Sequence, residues 1–281
     1  MPSCSVHAHT RSLFSCLAGL YLWCAGEAPL AQCQDPLSSS ERYQTIGNVS
    51  LAGTGVITAW GLAQWDYFDA SFNTASEGWF GRDTKYGGAD KLGHIYTTYV
   101  TAQGLSRLFE YWCFSREDAA RGGALSSLAM LGYMELGDGF SEFGFSHEDL
   151  VANALGGLVS YWLYRSPQWS DRVDLRWEFD VNPFAGDVTT DYENSKYLAA
   201  LKFSGFDALR TTPLRYFEVH LGYFTRGYDD GSRAPERNLY AAIGLNLTDL
   251  LRQHDFHAAS LLFKYYQPPG TYWAEEHDLN R

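Results

Sequence analysis

The sequence predicts an α+β protein: a bundle of about four helices over residues 46–166, then a small antiparallel sheet with one C-terminal helix over 171–281. Three observations carry this. Residues 46–65, 92–106, 122–134 and 150–164 contain no Asp, Glu, Lys or Arg, which suits packed helices. Ser115 and Ser146 each stand three residues before an acid, the spacing of a helix cap. After Asp171 the apolar residues recur every second position, the period of strands.

The elements follow in order. A first helix spans Ile46 to Trp65, after a flexible polar lead-in over 32–45. The stretch from Asp66 to Gly88 is irregular, with Gly78, Gly81, Gly87 and Gly88 as turn markers. A second helix starts at Ala89 or Asp90 and runs to Trp112. Ser115 opens a third, reaching Gly137, and Ser146 a fourth, ending near Tyr164 because Pro167 forbids continuation. Strands are expected at Leu175–Val181, Tyr197–Ser204, Leu214–Phe224 and Leu239–Leu247, with Asp229-Asp230-Gly231 as a turn. A helix from Asp249 to Tyr266 stops at Pro268-Pro269. So few strands cannot close a transmembrane barrel within one chain.

The formal net charge of -12 argues against nucleic acid as a partner, because phosphate recognition needs a basic face. Aromatic residues make up 16% of the chain, which suits a cell-envelope protein or one touching a membrane interface. Residues 1–31 read as an export signal: Arg11 precedes an apolar run from Leu13 to Ala25, with Ala28 and Ala31 as cleavage points. Of five cysteines, Cys4, Cys16 and Cys24 leave with that signal. Cys33, in Leu30-Ala31-Gln32-Cys33, sits in an imperfect lipid-attachment box, with Gln32 where a small residue is expected. Cys113, between Trp112 and Phe114, reads as a buried thiol.

The chemistry concentrates in three polar sets on these apolar helices: Asp90-Lys91-x-x-His94, Glu135-x-x-Asp138-Gly139-Phe140-Ser141, and Asp149-x-x-x-Asn153-x-x-Gly156. A polar group buried without a partner costs roughly 2–7 kcal/mol, so the three sets are expected to share one cluster. Asp90 and His94 lie one helical turn apart, and Asp90 can orient the imidazole. Lys91 can serve a neighbouring acid or a phosphate. Burial would raise the pKa of Glu135 unless Lys91 or His94 lies close. Bland readings stand beside these: Asp90 and Asp149 as helix caps, Asp138-Gly139 as a helix stop. Asn153, mid-helix among apolar residues, has no such local excuse.

This order of motifs resembles the YfiM-like family of predicted bacterial periplasmic lipoproteins of unknown function, over about residues 85–165. More distantly it is similar to the VanZ-like membrane family. The resemblance implies an envelope location and carries no reaction. The expected function is therefore a non-catalytic structural or binding protein of the periplasm or a membrane, with a membrane or envelope component as partner. The alternative is a membrane-associated enzyme or binding protein for a lipid or cell-wall precursor. There His94 acts as acid/base with Glu135 and Asp90, while Lys91, Asp138, Asp149 and Asn153 bind. No cofactor is indicated. A metal site from His94, Glu135, Asp138 and His147 is a further, less favoured reading, and multi-pass insertion is the alternative topology.

Overall fold

The computed structural model describes residues 37–180, 190–228 and 233–281. The export signal, Cys33 and the Asp229-Asp230-Gly231 turn lie outside these residues. Four long helices come first: α1 (Ser39–Gln64), α2 (Ala89–Tyr111), α3 (Arg116–Asp138) and α4 (His147–Arg165). A short α5 (Pro167–Ser170) leads into the strands β1 (Val173–Phe179) and β2 (Ser195–Lys202). Then come a short α6 (Asp207–Arg210), β3 (Phe217–Arg226), β4 (Glu236–Leu245), α7 (Leu247–Gln253), α8 (His257–Tyr265) and β5 (Tyr272–Asp278). The five strands form one antiparallel sheet in sequence order. The α+β expectation therefore holds.

Several boundaries differ for identifiable reasons. The lead-in expected over 32–45 is already helical from Ser39. Ser38 accepts from the Glu41 N–H, and Glu41 reaches back to the Ser38 N–H, a complete capping box. The helix expected over 249–266 is two helices, because Asp255 adopts the left-handed conformation at φ 62° and breaks the first. β5 is an added strand whose run of charged residues hides its periodicity. It is an edge strand, and its charges protect that edge from further pairing. Cys113 is disulfide-bonded rather than a free thiol.

The bundle is tied by small and polar residues rather than by large aliphatic ones. Ser127 donates to the Thr98 carbonyl at 2.9 Å, and Gln103 donates to the Ser160 carbonyl at 3.1 Å. Gly156 lets α4 approach α2: a Cβ there would lie 2.3 Å from the Ile95 carbonyl oxygen. The aliphatic residues face outward instead, among them Leu125, Leu155, Leu158 and Leu51. Such small-residue contacts bring backbones close.

One face of the sheet lies on α2. Tyr96 packs against Trp177 and Tyr197, and its hydroxyl donates to the Tyr265 carbonyl at 2.7 Å. The Tyr223 hydroxyl donates to the Gly87 carbonyl beside the start of α2. The sheet thereby braces the helix end that carries Asp90, Lys91 and His94.

Because backbone atoms occupy the space a Cβ would need, Gly156→Ala is expected to destabilise the protein by about 1–3 kcal/mol. Urea unfolding checks this, and an unchanged midpoint and slope would refute the close α2–α4 approach.

Candidate functional site

Three chain segments converge on Lys91. Its ammonium donates to Asp90 at 2.6 Å, Asp149 at 2.7 Å and Glu77 at 2.9 Å, and the residue is fully buried. Asp90 is in the first turn of α2, whose cap is Gly88 in the left-handed conformation at φ 91°. Asp149 is in the first turn of α4, where Ser146 accepts from its backbone N–H. Both carboxylates therefore also sit where the helix dipole favours negative charge. The cap explanation of Asp149 covers its backbone only, since its carboxylate turns to Lys91.

Electrostatics follow from this geometry. Burial pushes the Lys91 pKa down, but Asp90 and Asp149 outweigh it and hold it above the ordinary value. Burial likewise acts to raise Glu77, and Lys91 overrides it, bringing Glu77 down to about 2. Three carboxylates around one ammonium are more than it can neutralise. Burial accordingly pushes Asp90 up to about 7 despite the contact with Lys91. The three ammonium donors are all taken by these acids, so Lys91 has none left for a phosphate.

One turn further along α2, His94 meets a second group. Its Nδ1 lies 3.2 Å from Glu135 Oε1 and 3.3 Å from Asn153 Oδ1. Asn153 donates from Nδ2 to Glu135 Oε1 at 3.1 Å and accepts from the Thr98 hydroxyl at 2.8 Å. These bonds suit a neutral imidazole protonated at Nδ1. Its Nε2 then keeps a lone pair, 3.6 Å from Asp149 and beyond hydrogen-bond distance. Asp90 is committed to Lys91, so Asn153 and Glu135 orient His94 in its place. Burial lowers the pKa of His94 and pushes Glu135 up to about 9.

Asp138 completes the set at the end of α3. Burial raises it to about 7 against a hydrogen bond with the Tyr67 hydroxyl. The proposed metal set does not assemble. His147 is exposed and pairs with Glu148, because it stands at the outer start of α4. Among the described residues, the only three His, Cys, Asp or Glu ligand atoms within 4.8 Å of one another belong to Glu77, Asp90 and Asp149. The Lys91 ammonium already bonds to all three.

These groups border one cavity of about 360 Å³. His94, Glu135, Asp138, Asp149, Asp90, Glu77 and Lys85 form its polar side. Val56, Ile57 and Trp60 of α1, with Leu131 and Met134 of α3, form an apolar wall. Glu77, Thr98, Tyr67 and the α1 wall were not anticipated. Glu77 lies in the irregular connection, where no period marks it. The α1 residues belong to a stretch without charge and give no polar signal.

The fold and site define an α+β protein in which a helical bundle holds a carboxylate–lysine–histidine cluster against a half-apolar pocket. Residues 76–165 match the family described as predicted periplasmic lipoprotein (DUF2279). The match runs from the Glu77 segment through α4 and bears out the YfiM-like resemblance. No curated protein and no solved structure matches the chain. The VanZ-like similarity gains no support. The family description supports an exported, periplasmic protein of the cell envelope. Among the described residues one helix, α1, is long and apolar enough to cross a membrane by length and composition. The multi-pass topology therefore gains no support.

The shift of Glu135 sets a pH dependence. Between its ordinary 4.5 and about 9, the unfolded carboxyl ionises while the folded one stays protonated. The folded state then holds the extra proton, and stability falls as pH rises. Asp90 and Asp138 act in the same sense up to about 7, while His94 opposes them below 6.5 and Lys202, brought down to about 8 by burial, opposes Glu135 above 8. From pH 7 to 9 the loss attributable to Glu135 approaches about 1.4 kcal/mol per pH unit. Glu135→Gln is expected to flatten that decline in unfolding midpoints. Parallel wild-type and variant curves would contradict the assignment.

Proposed function

We propose that the protein is a non-catalytic binding protein of the cell envelope, and that its pocket takes an amphipathic molecule with a neutral or cationic polar head. One observation carries this reading: a single cavity joins an acidic and histidine-bearing side to an apolar wall of Val56, Ile57, Trp60, Leu131 and Met134. Pockets that orient a ligand by a few polar groups against apolar walls are the usual form of small-molecule sites. Among the described residues Lys85 is the one cation on this side and already pairs with Glu77, so the remaining carboxylates make an anionic head unfavourable. Apolar residues on the outward side of α1, including Leu51 and Leu62, are exposed and adjoin that wall in the same helix. This favours a ligand that arrives from a membrane or another envelope component.

The His94–Glu135 pair supports a second, catalytic use of the same pocket. A neutral imidazole beside a carboxyl held protonated offers one proton acceptor and one donor at neutral pH. In that use His94 Nε2 removes a proton and Glu135 supplies one, with Asn153 holding both. Asp90 has a supporting place only, through Lys91.

Calorimetric titration at pH 7 with decylamine and with decyl phosphate tests the binding reading. The amine is expected to bind about tenfold or more tightly than the phosphate. Met134→Asn is expected to weaken amine binding by about tenfold or more through its apolar wall. Equal or preferred binding of the phosphate would overturn this account of the pocket. Turnover that His94→Ala abolishes while amine binding persists would favour the catalytic use.

A further inference from the structure

The sheet is built with its polarity inverted. On one face, Asp174 and Arg176 of β1, Lys202 of β2, and Glu218 and His220 of β3 are buried. They pair with one another: Arg176 donates to Asp174 at 3.2 Å, to Glu218, and to Gln267 at 2.8 Å. Lys202 donates to Asp174 at 2.8 Å, and His220 Nε2 lies 2.8 Å from Glu218. On the opposite face, Leu201, Val219, Leu221, Ile243, Leu245 and Trp273 are exposed, Leu221 to 58% and Trp273 to 79%.

The register makes these residues one continuous patch. Leu201 is opposite Val219, Val219 opposite Ile243, and Ile243 opposite Trp273. The other end of this face, at Trp177 and Tyr197, is covered by Tyr96 of α2, so only the far end is bare. An antiparallel sheet with one wet face normally turns its polar residues to water and its aliphatic ones inward. Here the alternation runs the other way, as in strands whose outer face meets lipid.

Charge decides what covers the patch. The outward positions 199, 201, 219, 221, 239, 241, 243 and 245 hold only Ala, Leu, Val and Ile. Polar groups return at one end of β4 with Arg237 and along β5 with Glu275 and His277, so the uncharged surface is that of β2–β4 with Trp273 at its rim. A surface with no charge complements hydrocarbon, and it offers nothing to an acidic or basic partner. A second copy would cover one patch, yet exposed aliphatic residues recur on α1 (Leu51, Val56) and α4 (Leu155, Leu158). A bilayer serves all of these surfaces together. We propose that the outer face of β2–β4, with Trp273 at its rim, rests in the acyl region of a membrane, with lipid hydrocarbon as its occupant. This surface is separate from the pocket, so either reading can fail alone.

The test uses the full chain with vesicles of phosphatidylethanolamine and phosphatidylglycerol. Wild type is expected to float with the vesicles, and equally so at high salt, because the patch is neutral. A Leu221→Asn, Ile243→Asn variant that keeps its circular dichroism is expected to lose vesicle partitioning by about tenfold or more. Quenching by brominated acyl chains gives a second readout that leaves the fold intact. It is expected to fall in Trp273→Phe relative to wild type. Undiminished flotation of the Asn variant, or quenching unchanged by Trp273→Phe, overturns the proposal. So does a stable dimer that covers the patch and does not bind vesicles.

Discussion

The ammonium of Lys91, enclosed by Glu77, Asp90 and Asp149, is the interaction on which the rest of the site depends. It joins the irregular segment before α2, the first turn of α2 and the first turn of α4. An ion pair removed from water gains little over a well-packed apolar contact, but losing one partner strands the others at a cost of about 3–5 kcal/mol. The cluster therefore acts as a constraint on arrangement more than as a source of stability. Once α2 and α4 are held at these ends, helical geometry brings His94 and Asn153, each about one turn further along, into contact. Glu135 of α3 then closes the group.

The site divides into a charged half and a neutral half. Lys91 and Glu77 stay ionised in each other's company, whereas Glu135 is kept protonated and His94 neutral by burial. Both halves line the cavity whose other wall is apolar and comes from α1 and α3. Inverted polarity in the sheet repeats the same theme at a larger scale: charges are paired inside, and aliphatic side chains face out. Both features fit the proposal of an envelope protein that works beside lipid.

Much of this was legible in the sequence, and the rest was hidden for physical reasons. Ser115 and Ser146 marked helix starts correctly because capping is local chemistry. Ser38 and Glu41 carried the same spacing, but their polar surroundings read as a lead-in. The buried amide of Asn153 pointed to a partner, since a helix interior offers it none. Its partners, Thr98 and Glu135, come from other helices. Asp90 and His94 share a helix face, yet Asp90 turns to Lys91, a choice made by the carboxylates from distant segments. Glu77 and the α1 wall depend wholly on how the chain closes in three dimensions. β5 escaped notice because an edge strand exposed on both sides loses the alternation that marks a half-buried one.

A double-mutant cycle on Lys91→Met and Asp149→Asn, read by urea unfolding at pH 7, tests the central claim most directly. If the ammonium cluster fixes the approach of α2 and α4, each single variant is strongly destabilised. The pair should then show a coupling of about 1–3 kcal/mol, the double variant being less damaged than the sum. Additivity within about 0.5 kcal/mol would mean that the two residues do not act as one unit, and the account built on them would fall.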